Sequence, residues 1–122
     1  MALVLVVDDE PLSCFTIAEM VEGLGHETLQ ANSVKEALDL FNRNPCDLVL
    51  TDIVMPVVDG NTLIKAIRTL NKDIPVIAVS GSGRTLNHDY LEVAKQVGAS
   101  EVLLKPFGLK ELEQTLFDFL PK

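Results

Sequence analysis

The stretch LVLVVDDEP, residues 3–11, is an unbroken aliphatic run that stops at two adjacent aspartates, Asp8 and Asp9. Five consecutive aliphatic residues predict a β-strand. The strand therefore delivers two carboxylates to its end. Since neighbouring negative charges repel each other, the rest of the chain has to supply something that holds them there.

Four further apolar segments of β-rich composition follow, and a helix-like segment succeeds each of the five. The predicted strands are residues 3–7, 27–31, 47–51, 75–79 and 101–104. The segments DLVLT and PVIAVS are almost continuous in apolar residues, as parallel strands covered by helices on both faces should be. The alternation predicts an α/β fold with a doubly wound, five-stranded parallel sheet and helices on both faces.

The predicted helices carry recognisable ends and apolar stripes. Ser33 and Glu36 have the spacing of a capping box, and Gly25 and Gly98 stand where glycine commonly follows a helix. The first helix has a stripe formed by Cys14, Ile17, Val21 and Leu24. The last helix has a stripe formed by Leu109, Leu112, Leu116 and Phe119. Stripes of this spacing predict the helix faces that pack on the sheet.

Length and composition exclude several classes of protein. A chain of 122 residues, 48% of them hydrophobic, predicts one domain over residues 1–122. The net charge of −8 argues against direct nucleic-acid binding, which requires clustered lysine and arginine. No apolar stretch approaches the ~20 residues of a membrane span and no signal peptide is recognisable, so we expect no membrane association and a cytoplasmic location. Cys14 and Cys46 are expected to be reduced thiols.

Polar side chains stand at the ends of four predicted strands. They are Asp8 and Asp9, Asp52, Ser80 and Lys105. In doubly wound sheets, ligands bind beyond these carboxyl ends. Asp9 alone would be explained as a cap of the next helix, whereas polar residues at four strand ends together indicate a binding site. Three carboxylates beside one lysine call for a cation, and oxygen ligands without nearby histidine or cysteine favour Mg²⁺.

Four motifs stand at these strand ends in a fixed order. They are VVDDEP, LTDIVMPVVDG around Asp52, VIAVSGSG around Ser80, and KPF at residues 105–107. With these motifs the chain resembles a response-regulator receiver domain of two-component signalling, and it is similar to the chemotaxis receiver over essentially its whole length. The resemblance implies a flavodoxin-like sheet with strand order 2-1-3-4-5 and a single receiver domain over residues 1–122, with no output domain.

The resemblance also implies a function. Asp52 would accept a phosphoryl group from a histidine kinase or a histidine phosphotransfer protein. Lys105 would neutralise charge on the phosphoryl oxygens, and Ser80 would hydrogen-bond one of them after transfer. The altered loop and helix surface would then control a downstream protein. On this interpretation the chain is no turnover enzyme, because it catalyses only its own phosphorylation and dephosphorylation.

A set of Mg²⁺ ligands follows from the same resemblance. Asp9, Asp52 and the backbone carbonyl of Val54 would bind the ion directly, and Asp8 would act through metal-bound water. One position departs from the family pattern, because Val102 stands three residues before Lys105, where many receivers carry an aromatic residue that rotates on phosphorylation. A β-branched side chain with a stiff χ1 cannot report the same rotation.

Two other functions compete with this interpretation. A phosphatase of the haloacid dehalogenase type also uses an aspartate nucleophile, but it needs a second aspartate two residues later, where this chain has Val54. The alternative that stays open is a phosphorylation-independent docking module that retains the fold, because Val102 removes the usual aromatic switch. Phosphoryl gain in the presence of Mg²⁺ separates a receiver from such a module.

Overall fold

The computed structural model describes residues 2–52, 60–80, 95–105 and 107–120. The strands are β1 (Leu3–Val7), β2 (Glu27–Ala31), β3 (Leu48–Asp52), β4 (Val76–Ser80) and β5 (Glu101–Leu104). The helices are α1 (Pro11–Gly23), α2 (Val34–Arg43), α3 (Gly60–Leu70) and α4 (Leu109–Phe119), and residues 95–97 are also helical. Within these ranges, no helix is long and apolar enough to cross a lipid bilayer.

The five strands form one parallel sheet in the order β2-β1-β3-β4-β5, which confirms the order implied by the resemblance. The strand pairs are in close register at their ends, where Val7 lies opposite Thr51 and Ser80 lies opposite Leu104. Because all strands run in the same direction, their carboxyl ends meet along one side of the sheet. We call this side the carboxyl edge.

Two of the predicted strands are displaced by one residue at both ends. The segments predicted at 47–51 and 75–79 each begin and end one residue later in the structure. Asp52 and Ser80 are therefore the last residues of their strands, and Asp52 is paired with Val79 in the ladder between β3 and β4. The shift matters for the site, since a residue inside a ladder is held more firmly than one in a loop.

Alternate residues of the strands build two apolar cores on opposite faces of the sheet, as predicted. On one face, Val6 and Leu50 pack with residues of α1 and α4. On the other face, Val7 and Val49 pack with residues of α2 and α3. Burying one such side chain contributes about 1.5–3 kcal/mol relative to leaving it exposed. Helices cover both faces, which leaves the carboxyl edge for polar chemistry.

Three residues of the stripe predicted for α1, Cys14, Ile17 and Val21, are buried, whereas Leu24 follows the end of the helix and is partly buried. The stripe predicted for α4 is wrong at its first member. Leu109 is 51% exposed, because it is the first residue of the helix and only its neighbours further along reach the core. Thr115 is buried in the stripe instead. Its hydroxyl donates to the Glu111 carbonyl at 3.0 Å, so the buried oxygen atom has a partner.

The helix ends follow the predicted chemistry with one difference. The Ser33 hydroxyl accepts from the Glu36 backbone N–H at 3.1 Å, as a capping box requires, but the Glu36 carboxylate accepts from the backbone N–H of Asn32. Gly25 and Gly98 have φ angles of 97° and 122°, which favour glycine. At Gly98 a Cβ atom would also lie 2.8 Å from Cγ of Arg68, whose guanidinium donates to the Gly98 carbonyl.

Both cysteines are free, and burial is the main cause that raises the pKa of each thiol to about 11. Cys14 is buried on α1 and donates to the Val6 carbonyl at 3.4 Å. Since a raised pKa keeps the thiol protonated, only about one thiol in a thousand is ionised at pH 8. The thiolate is the nucleophile, so protonated thiols react slowly.

We expect iodoacetamide at pH 8 to label Cys14 and Cys46 at least ~100-fold more slowly in the native protein than in guanidinium, where the thiol pKa returns to about 8.5. The native rate should rise about tenfold per pH unit up to pH ~11, whereas the rate of the unfolded chain should level off near pH ~9. Mass spectrometry of the intact protein measures both rates. Equal labelling of the native and unfolded protein at pH 8 would contradict the burial of these thiols.

Candidate functional site

The three carboxylates predicted to converge do so at the carboxyl edge. Asp8 and Asp9 lie in the turn after β1, and Asp52 is the last residue of the adjacent strand β3. One carboxylate oxygen from each lies within 4.8 Å of those of the other two. Asp8 and Asp52 are buried, with 1% and 6% of their surface exposed, and Asp9 is half-buried. We call these three residues the acid cluster.

Asp8 is the most firmly held member of the acid cluster. Its Oδ1 accepts from the backbone N–H of Glu10 at 3.0 Å. Its Oδ2 accepts from the Ser13 hydroxyl at 2.7 Å and from the Lys105 ammonium at 2.8 Å. Its backbone carbonyl accepts from the side-chain amide of Asn32 at 2.9 Å. Hydrogen bonds to both carboxylate oxygens and to the backbone carbonyl hold the Asp8 carboxylate in one orientation.

Lys105 brings the positive charge that the sequence predicts for the site. It follows β5, and its backbone N–H donates to the Ser80 carbonyl at 2.7 Å. The ammonium nitrogen is 2.8 Å from Asp8 Oδ2 and 3.8 Å from Asp52 Oδ2. The second distance is too long for a hydrogen bond, although it still allows attraction between the charges. The Lys105 ammonium is therefore hydrogen-bonded to Asp8 and lies close to Asp52 without bonding to it.

Ser80 also lies at the carboxyl edge, as predicted, and is 2% exposed as the last residue of β4. Its strand is the direct neighbour of β3, which carries Asp52. Thr51, one residue before Asp52, is buried, and its hydroxyl donates to the Asp52 carbonyl at 2.9 Å. The predicted ligand carbonyl of Val54 lies outside the described residues.

Asp9 does not have the capping role that would explain it in isolation. The N-cap of α1 is Glu10, which makes no side-chain capping hydrogen bond, and Pro11 occupies the first helical position. The Asp9 carboxylate belongs to the acid cluster instead. Proline at that position removes one N–H that a cap would otherwise have to satisfy.

Ser13 is a member of the site that the sequence does not single out. It lies in the first turn of α1, five residues after Asp8, and its hydroxyl contacts both Asp8 and Lys105. The available signal was its position, because the first turn of a helix that follows a strand stands directly above the end of that strand. A serine in the first turn of a helix is common, so the sequence alone does not indicate that Lys105, 92 residues later, contacts it.

The donor atoms of the acid cluster fit a hard divalent cation. All three side chains offer carboxylate oxygens, and no histidine or cysteine belongs to the group among the described residues. Three carboxylates against the one ammonium of Lys105 leave a formal charge of −2. Oxygen donors with this net charge suit Mg²⁺, which takes one or two protein carboxylates and keeps several water ligands.

An open apolar groove of about 420 Å³ runs from the site along α1. Residues that line it include Glu10, Leu12, Thr16, Met20, Lys105 and Phe107. Leu12 at its rim is 78% exposed. On other parts of the surface, Phe117 of α4 is 62% exposed, and Val102 is half-buried against the core beneath α2 and α3.

Comparison with sequence models of protein families matches residues 4–117 to the response regulator receiver domain. Sporulation initiation phosphotransferase F of Bacillus subtilis (strain 168) is 30% identical over 118 residues, which cover 97% of this chain and 93% of that protein. The sensor histidine kinase RcsC of Escherichia coli (strain K12) is 33% identical over 114 residues, or 93% of this chain, but the chain spans only 12% of the length of RcsC.

Solved structures give the same result. The chemotaxis protein CheY4 of Vibrio cholerae superimposes with a TM-score of 0.89 at 30% identity, over 98% of this chain and 99% of CheY4. A response regulator receiver domain protein from Clostridium thermocellum superimposes with a TM-score of 0.88 at 32% identity, over 97% of this chain and 93% of that one. The chain therefore belongs to the response regulator receiver domain family of two-component signalling.

Proposed function

We propose that Asp52 is the phosphoacceptor of a cytoplasmic receiver and takes its phosphoryl group from a histidine kinase or a histidine phosphotransfer protein. The observation that carries this proposal is the environment of the Asp52 carboxylate. It is 6% exposed, it lies in a cluster of three carboxylates, and a lysine ammonium is 3.8 Å away. A carboxylate confined in this way is a nucleophile with one counter-charge, the Lys105 ammonium, already in position.

The acid cluster would hold Mg²⁺ through Asp9, Asp52 and the backbone carbonyl of Val54. Asp8 would act through a metal-bound water, and its contacts support this. A carboxylate has about four acceptor positions. Three at Asp8 are taken by Glu10, Ser13 and Lys105, which leaves about one for a water molecule. When bound, Mg²⁺ supplies positive charge to the phosphoryl oxygens during transfer.

In the transfer itself, an Asp52 carboxylate oxygen attacks the phosphorus atom of the donor and forms a P–O bond. The P–N bond to the donor histidine breaks in line, and the imidazole leaves with the electron pair. Lys105 moves from Asp8 toward the new phosphoryl group and neutralises part of its charge. The short distance from Lys105 to Asp52 supports this step, because the side chain needs only a small movement.

Ser80 would hydrogen-bond a phosphoryl oxygen after transfer and pass the change to the surface that controls a downstream protein. A phosphoryl group adds about −1.5 to −2 charges and three strong acceptors, enough to favour one of two loop arrangements that differ by a few kcal/mol. Ser80 is the last residue of β4, beside the strand of Asp52. Val102 carries no aromatic ring, so the change would reach the surface without the usual aromatic rotation.

The direct test is incubation with acetyl phosphate and Mg²⁺, followed by mass spectrometry of the intact protein. A receiver gains the mass of one phosphoryl group, and chelation of Mg²⁺ abolishes the gain. A docking module that keeps only the fold gains nothing under either condition. Persistent absence of the modification with Mg²⁺ present would overturn the proposed function.

Leu12 provides a prediction about the protein donor. Its side chain is 78% exposed at the rim of the groove beside the site, where a docked donor protein would cover it. We expect Leu12→Gln to slow phosphoryl transfer from a phosphorylated histidine protein about tenfold, the effect of losing ~1.4 kcal/mol of contact. Phosphorylation by acetyl phosphate should change less than about twofold, because a small donor needs no docking surface.

Leu70→Gln is the matched control for this experiment. Leu70 is 55% exposed as the last residue of α3 and does not belong to the residues that line the groove. The control should leave both reactions unchanged. If Leu12→Gln slowed both donors to the same degree, the residue would be acting on the chemistry of the site and the docking role would be wrong.

A further inference from the structure

Ser13 closes a triangle of hydrogen-bonding atoms with Asp8 and Lys105. The Ser13 hydroxyl is 2.7 Å from Asp8 Oδ2 and 3.0 Å from the Lys105 ammonium, which is itself 2.8 Å from the same Asp8 oxygen. A hydroxyl has one proton to donate and lone pairs to accept with. Here the Ser13 hydroxyl donates a hydrogen bond to the Asp8 carboxylate and accepts one from the Lys105 ammonium. Both hydrogen bonds involve a charged partner and are stronger than neutral ones.

This arrangement is unusual for a serine or threonine inside a helix. Such hydroxyls commonly bond to the carbonyl four residues earlier on their own helix. Thr16, one turn later on α1, does this and donates to the Leu12 carbonyl at 2.9 Å. The hydrogen bonds of Ser13 instead reach residues 5 and 92 positions away, and they join α1 to the segments that follow β1 and β5.

We propose that Ser13 is a positioning residue that lets Lys105 leave Asp8 during phosphorylation. The inference rests on the proposed function, in which the ammonium moves from Asp8 toward the phosphoryl group on Asp52. Asp8 is 1% exposed, so its carboxylate cannot lose a partner without cost unless other donors stay in place. After Lys105 leaves, Asp8 keeps the Ser13 hydroxyl and the Glu10 backbone N–H.

Ser13 also determines where the ammonium rests before transfer. Lys105 has three N–H donors, and Asp8 and Ser13 accept two of them. Two acceptors on the same side hold the nitrogen in one place, 3.8 Å from Asp52 Oδ2. Without the hydroxyl, Asp8 is the remaining hydrogen-bond acceptor among these contacts. The ammonium then has one hydrogen-bond acceptor fewer, and its position relative to Asp52 is less well defined.

The test compares Ser13→Ala, which removes the hydroxyl, with Ser13→Thr, which keeps it, and with Thr16→Ala as a control that removes a hydroxyl from the same helix. In the metal-free protein, the ¹⁵N signal of the Lys105 ammonium should be sharp, because bonded ammonium protons exchange slowly with water. We expect this signal to weaken in Ser13→Ala and to persist in Ser13→Thr and Thr16→Ala.

The second readout is phosphorylation by acetyl phosphate with saturating Mg²⁺. Ser13→Ala should lower the maximal rate about fivefold, because it removes one hydrogen bond to a charged group, and leave the acetyl phosphate concentration at half-maximal rate unchanged. Ser13→Thr should restore most of the rate. A general disturbance of the fold would not be repaired by a bulkier residue that shares only the hydroxyl.

The outcomes separate the inference from the function on which it rests. If the parent protein is phosphorylated and Ser13→Ala equals it in rate and in the Lys105 signal, the positioning role is wrong and the proposed function stands. Failure of Ser13→Thr to restore the signal and the rate would also overturn the role. If the parent protein gains no phosphoryl group, the proposed function is wrong, and the positioning role of Ser13, which rests on it, is wrong as well.

Discussion

Asp52→Asn is expected to abolish phosphoryl gain from acetyl phosphate, with the rate falling about a thousandfold or more, as when a covalent nucleophile is removed. The amide has nearly the same shape as the carboxylate but is neutral and a very poor nucleophile. Asp52 is buried at the end of β3 and its backbone is held by the ladder to β4, so the fold should tolerate the exchange. The mass of the intact protein after incubation with acetyl phosphate and Mg²⁺ measures the effect.

Asp39→Asn is the matched control, because Asp39 is exposed in the middle of α2 and is not a member of the acid cluster. It removes the same charge and should leave the phosphorylation rate unchanged. Thermal unfolding of both variants checks that they fold. A full phosphoryl gain in Asp52→Asn would show that another carboxylate, such as Asp9 in the same cluster, is the acceptor.

The parts of this structure that sequence could predict are those set by periodicity and by chain direction. Five aliphatic segments alternating with helices leave few arrangements other than a parallel sheet, and parallel strands bring their ends together. The convergence of Asp8, Asp9 and Asp52 follows from this and is confirmed. The strand order came from the family resemblance, since periodicity does not say which strands are neighbours.

The details that the sequence could not predict depend on where each element ends and on which distant elements pack against each other. Leu109 has the spacing of a core residue on α4, but at the first residue of the helix it is exposed, and Thr115 fills the stripe. The one-residue shift of β3 arises because an aliphatic run does not show where pairing with the next strand stops. The contact of Ser13 with Lys105 spans 92 residues and exists only because two elements distant in sequence pack together.

The second large effect is expected at Lys105. Lys105→Met keeps the length of the side chain and removes its positive charge, which makes the formal charge of the site more negative, from −2 to −3. Loss of one partner of a buried ion pair costs about 3–5 kcal/mol, and since Lys105 is itself 22% exposed, we expect the metal-free variant to be less stable by about 2 kcal/mol. Chemical denaturation in the presence of a chelator measures this loss.

Mg²⁺ should reverse that loss, and the reversal distinguishes charge repulsion from damaged packing. The ammonium of Lys105 competes with a cation for Asp8 and Asp52, so its removal should tighten Mg²⁺ binding about tenfold while phosphorylation slows. Tighter binding stabilises the folded state by mass action, and the two proteins should therefore approach equal stability as Mg²⁺ is added. Lys110→Met on the exposed side of α4 is the control and should change neither quantity. A stability deficit that Mg²⁺ leaves untouched would mean that Lys105 acts through packing, because an electrostatic deficit at a carboxylate cluster must shrink when a cation occupies it.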